Sequence, residues 1–155
     1  MSTELERIED QLRRAFERDA WHGPSVLETL QGVTAEQSHA HPIAGAHSIW
    51  EVVLHLSATY GLVLRRLRGE GARLSAAEDW PLPPPATEAN WQEAVGALRR
   101  HNADLRDAVR AFPAARLDQP LVPDPPYTAY TQFIGLTQHD LYHAGQIALL
   151  KRALG

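Results

Sequence analysis

The sequence predicts an all-α protein, a bundle of four long helices. Three observations carry that prediction: four stretches repeat apolar residues with a helical period, none alternates apolar and polar residues as a half-buried strand would, and proline-rich runs separate the later stretches. No internal repeat is present. A chain of 155 residues suits a single domain, 1–155, able to bury a sizeable core.

Leu5, Ile8, Leu12, Ala15 and Phe16 set the period of a first helix from about Ser2 to Ala20. Trp21-His22-Gly23-Pro24 interrupts it, and Ser25 can then cap a shorter piece carrying Val26, Leu27 and Leu30 that Gly32 ends. Thr34-Ala-Glu-Gln37 has capping-box spacing and starts another turn or two before a loop through His39, His41, Pro42 and Gly45. Ser48-Ile-Trp-Glu51 is a second capping box, so Glu51 reads as a cap rather than a catalytic base. It opens the second long helix, with Ile49, Val52, Val53, Leu56, Tyr60, Val63, Leu64 and Leu67 on a broad buried face. Gly69 and Gly71 end that helix, where Arg65, Arg66 and Arg68 suit its dipole. Trp80, Pro81, Pro83, Pro84 and Pro85 form an extended linker. Thr87 caps the third long helix, with a stripe Trp91, Val95, Leu98, Leu105, Val109, Phe112, and Pro113 closes it. A second proline-rich connection, Pro120 to Pro126, leads into a fourth helix from about Thr128 to Leu154.

The net charge of −4 argues against a general nucleic-acid or membrane-surface binder, since such partners are met with a basic excess. No cysteine is present, so the chain offers neither disulfide nor thiolate, and any sulfur chemistry needs a thiol brought in as substrate. The amino terminus is charged and no apolar run is long enough to span a bilayer, so a soluble, cytoplasmic protein is expected.

The chemistry concentrates in Gln138-His-Asp-Leu-Tyr-His-Ala-Gly-Gln-Ile147. At about 100° per residue, Leu136, His139, His143, Gln146, Ile147, Leu150 and Leu154 fall within roughly a 100° arc, which turns both imidazoles inward. Cβ atoms four residues apart lie about 5–6 Å from each other, so two ring nitrogens can converge on one ion. One buried histidine reads as a hydrogen-bonded core residue. Two on an arc made mostly of Leu and Ile would each need a separate partner, and a shared metal ion is the better reading. The spacing also suggests a metalloprotease helix, but Asp140 is a methylene shorter than the glutamate that would serve there as base.

A third ligand must come from earlier in the chain. His22, His39, His41 and His47 lie in or beside loops and read as surface residues. His101 flanks the stripe of the third helix and remains a candidate. His55 is mid-helix but about 60° from Val52, at the edge of the buried face, so periodicity does not decide between the two.

The runs Trp21-His-Gly-Pro-Ser25, His47-Ser-Ile-Trp-Glu-Val-Val-Leu-His-Leu56 and Gln138 to Ile147 resemble, in that order and separation, the DinB/YfiT-like metalloenzyme family over essentially the whole chain. The resemblance implies a four-helix bundle of up-down-down-up topology, often a homodimer, with a divalent metal held by three histidines. Matched position by position, these are His55, His139 and His143. The family name records damage-inducible expression and implies no DNA binding. Three nitrogens without a fourth protein ligand describe an open, catalytic type of site. All-imidazole ligation suits zinc or nickel, and iron or copper is compatible. Asp140, Gln146 and Tyr142 are candidates to orient an imidazole or contact a substrate, though simple helix packing accounts equally well for Tyr142.

The expected function is a metal-dependent enzyme acting on a small-molecule substrate, by transfer of a low-molecular-weight thiol as in relatives that the resemblance brings in, or by hydrolysis. The alternative is a metal-binding stress-response bundle without catalysis. A di-iron carboxylate bundle would need two inward Glu-x-x-His motifs, and only Glu36-Gln-Ser-His39 has that spacing.

Overall fold

A computed structural model describes residues 1–155. It is all-helical: α1 (Glu4–Phe16), α2 (Val26–Leu30), α3 (Ala35–His39), α4 (Ile49–Leu67), α5 (Ala76–Asp79), α6 (Glu88–Arg110) and α7 (Ala129–Ala153), with a 3₁₀ turn at Ala114–Arg116. The only β feature is an isolated bridge between Pro120 and Thr128.

The helix starts follow from side-chain chemistry. Thr3, Ser25, Thr34, Ser48 and Ser75 each accept the N3 backbone N–H, while the N3 Glu or Gln reaches back to the cap's own N–H. Two of the donors that a helix leaves unpaired are thereby satisfied. This makes α1 begin after Thr3 rather than at Ser2, and it ends at Phe16 rather than near Ala20, because Asp19 takes a left-handed φ of 66°. Gly69, at φ 87°, turns the chain out of α4. The Ser75-Ala-Ala-Glu78 box produces a short helix, α5, just before the stretch expected to be extended.

α1, α4, α6 and α7 form a ring in which α6 and α7 each pack on both α1 and α4. Consecutive long helices α1 and α4 therefore face each other across the bundle. Twenty-eight buried apolar residues make one continuous cluster. Its largest members include Trp50 and Trp91, whose ring centres are 5.2 Å apart, and the Trp91 indole donates to the Val33 carbonyl at 2.9 Å. That bond satisfies the one polar atom of Trp91, whereas the indole nitrogen of the equally buried Trp50 has no partner.

Polar bonds fix the register of the ring. Arg106 of α6 donates to Glu9 of α1 at 2.6 Å and also to Glu17, and Arg110 reaches Glu9 at 2.7 Å. Arg66 is buried, donating to the Ala72 carbonyl at 3.1 Å and to Gln132 of α7 at 2.9 Å. Its role is thus a fastening between α4, the following loop and α7, and the helix dipole accounts only for its neighbours Arg65 and Arg68. Asn102, 1% exposed, completes the buried stripe of α6 where an apolar residue would be expected.

The buried face of α7 carries Phe133, Leu136, Asp140, His143, Ala144, Ile147 and Leu150. Its centre is rotated by roughly 45° from the arc expected on the apolar residues and histidines. The physical reason is Asp140, which is fully buried although polar, with the small Ala144 beside it. His139 consequently sits at the rim of the core, half-buried, rather than at its centre.

Candidate metal centre

Where α4 meets α7, His55, His139 and His143 turn their rings toward one another, and one ligating nitrogen from each lies within 4.8 Å of the others. The Nε2 atom of His139 is 2.9 Å from that of His55 and 3.1 Å from that of His143. Three nitrogens around a tetrahedral ion at about 2.0–2.1 Å would be separated by about 3.3 Å, so the trio is close to coordination geometry.

The far side of each ring decides what the converging nitrogens can be. His55 Nδ1 is 2.8 Å from the Asp79 carbonyl oxygen and 3.1 Å from the Asp79 carboxylate, both of which only accept. His143 Nδ1 is 2.6 Å from the amide oxygen of Gln146. Each Nδ1 therefore carries a ring hydrogen and donates it outward, so that a ring bearing that one hydrogen presents Nε2 as a bare lone pair. A proton on His139 Nε2 could serve one of these neighbours and not both. His139 Nδ1 is itself buried with no partner. A convergence of lone pairs that the protein's own hydrogens cannot satisfy is what a cation resolves, so the donor set fits a divalent ion.

Electrostatics keeps the rings in the binding form. Burial, with the neighbouring His143 and His55, lowers His139 to about 3, and burial lowers His143 to about 4 against the opposing effect of Gln146. Both imidazoles are thus neutral across the physiological range.

Three groups behind the trio were not singled out from the sequence. Asp79, at the end of α5, holds His55 as just described. The next residue, Trp80, lies flat on the His55 ring with centres 4.0 Å apart and planes 3° from parallel, and its other face stacks on His47 at 3.6 Å and 5°. His47 is about half exposed and is the outer layer of this stack, not merely a surface residue ahead of a cap. The Ser75–Glu78 capping box was the available signal, because it marks a helix that must deliver the next two residues somewhere specific. Tyr60 of α4 is the third, and its hydroxyl donates to Asp140 at 2.6 Å.

Of Asp140, Gln146 and Tyr142, only Gln146 hydrogen-bonds one of the three histidines, His143. Asp140 is fully buried, bonded to Tyr60 through one oxygen, and its other oxygen has no partner. It bonds no imidazole and cannot reach a substrate; it braces α7 against α4 from behind the site. Burial raises its carboxyl to about 8, with the Tyr60 hydrogen bond acting the other way. Tyr142 is 66% exposed and meets the His143 ring edge-on at 5.1 Å, a packing contact. His101 Nδ1 is 2.6 Å from Ser57 Oγ, in the α4–α6 contact and away from the trio. His22, His39 and His41 are exposed, His41 meeting the capping Glu51 at 3.0 Å.

No helix is long and apolar enough to cross a membrane. Neither the curated proteins nor the solved structures contain a significant match to the chain. The model of the DinB superfamily matches residues 18–147, a span that takes in α4, most of α7 and all three histidines. That match covers most of the chain, and the protein, an all-helical fold with three histidines placed to hold a metal ion, belongs to the DinB superfamily.

Proposed function

We propose that this protein is a divalent-metal-dependent enzyme using His55, His139 and His143 as ligands, with zinc or nickel favoured over iron or copper, acting on a small molecule by thiol transfer or hydrolysis. The observation that carries it is the convergence of three imidazole Nε2 atoms, two of them on rings whose opposite N–H is already committed. Only three protein donors are present at that point, which leaves coordination open to an exogenous ligand, as in catalytic rather than structural sites. When bound, such an ion supplies Lewis acidity, lowering the pKa of a thiol or water that enters the open position.

The chain's own residues do the rest. Asp79 and Gln146 hold their protons at Nδ1 of His55 and His143, so that neither ring can turn its hydrogen toward the site. Trp80, lying on His55, excludes water from one face and keeps the ring from swinging outward. The chain contains no cysteine, so in thiol transfer the sulfur is the substrate's and the protein competes with no thiolate of its own.

Elemental analysis of untagged protein, followed by titration of the cobalt-substituted form with cellular thiols, tests the proposal. One divalent ion per chain and a sulfur-to-metal charge-transfer band are expected for thiol transfer. Metal-dependent ester or amide hydrolysis without any such band would move the reading to hydrolysis, and protein purified without metal and unable to take it up would end it.

A further inference from the structure

A cavity of about 310 Å³ opens beside the metal centre between the loop before α4 and the last turns of α7. Ile43, Ala46, Val52, Leu149 and Leu150 make its walls, and no Asp, Glu, Lys or Arg lines it. Two further lining residues belong at once to the cavity and to the histidine site. Gln146 faces the cavity and accepts the His143 Nδ1 hydrogen, while His47 faces it and stacks on Trp80, which in turn stacks on His55. The cavity thus adjoins the histidine site through these two side chains, and none of the three histidines lines it directly.

We infer that this cavity binds the apolar, uncharged portion of the substrate whose reacting group enters the three-histidine site. The inference rests on the proposed metal-dependent function and adds the substrate class to it. An engineered cavity of about 150 Å³ holds benzene, so this one accommodates an unbranched or ring-bearing group of about twelve heavy atoms. A charged group there would lose its hydration with no opposite charge to meet it. Leu149 is 59% exposed, which is costly for a leucine in water and useful where a ligand covers it.

Two measurements test this, and they fail separately. In the first, metal-free protein is titrated with neutral 4-fluorotoluene and followed through its fluorine NMR line. Broadening is expected in the parent chain, and a loss of affinity of tenfold or more in both Leu149→Glu, a change at an exposed position, and Ala46→Phe, which fills the space. No broadening, or broadening that survives both substitutions, overturns the cavity as a site whatever the metal does. In the second, the cobalt form is titrated with straight-chain thiols from ethanethiol to hexanethiol. Affinity should rise about fourfold per methylene, the value for full transfer out of water, and Leu149→Glu should flatten that rise while the cobalt content stays at one per chain. A flat series in the parent protein, with thiolate entry still seen, overturns the link between cavity and metal site. Absence of metal binding is a failure of the proposed function, and the fluorine measurement then still decides the cavity. If Leu149→Glu instead splits a dimer seen by light scattering, a second copy of the chain covers this face and the inference falls.

Discussion

At the scale of single residues, each ligand should matter in proportion to what stands behind it. Removing His55, His139 or His143 by substitution with Ala is expected to abolish stoichiometric metal uptake while circular dichroism stays helical, since none of the three belongs to the continuous apolar cluster that holds the helices together. His101→Ala, which breaks only the bond to Ser57, should keep full occupancy. If the outcomes for His55 and His101 were reversed, the third ligand would be misassigned. Gln146→Leu removes the acceptor that fixes the His143 tautomer and should weaken metal affinity about 10–100-fold, measured by competition with a chromophoric chelator. The two histidines of α7 were legible because a spacing of four is a local property of a helix. His55 was not, because its angle on the wheel equally suits a rim residue and a solvated one, and only the neighbouring helix decides which it is.

At the scale of elements, the capping boxes of α3 and α4 are legible in the sequence because both of their bonds are made within four residues, and at α2 the sequence shows Ser25 as a cap while the structure adds the reciprocal bond from Glu28. The same signature at Ser75 was passed over in favour of the prolines that follow it. With it went Asp79 and Trp80, which bond and stack on His55, 24 and 25 residues away. Ser75→Ala is therefore expected to act at a distance: a loss of about 1 kcal/mol of local stability accompanied by weaker metal binding, whereas Ser25→Ala should cost similar stability and leave binding unchanged. Parallel chemical denaturation and metal titration of the two variants check this. Between α4 and α7 the Tyr60–Asp140 pair was equally hidden, since an aspartate next to His139 reads as a group that orients an imidazole or meets a substrate rather than one buried against a tyrosine. Tyr60→Phe leaves a fully buried carboxyl without its donor and should cost about 1–3 kcal/mol in denaturant unfolding.

At the scale of the whole molecule, the helix count and the breaks between helices followed from period and punctuation. Which helix packs on which did not, because it depends on long connections that carry no apolar pattern of their own. A symmetric dimer is proposed through the α4 side, where Leu54 and Leu62 lie with Leu74 and Pro81 along a groove of about 780 Å³. Light scattering at micromolar concentration should give twice the chain mass, and Leu62→Glu should reduce it to one; a monomeric parent protein would dispose of this arrangement.

The nitrogens of His55 and His139 that meet at 2.9 Å belong to residues 84 positions apart. An ion held by both would act as a reversible cross-link in a chain that has no cysteine to make a permanent one. Unlike a permanent link, such an ion restricts only the folded chain, so it stabilises by mass action: about 2.7 kcal/mol when the free ion is at a hundred times its dissociation constant, or about 5–10 °C in melting temperature. Calorimetry before and after dialysis against a chelator would read that difference, and with it the extent to which metal supply in the cell sets how long the folded chain survives.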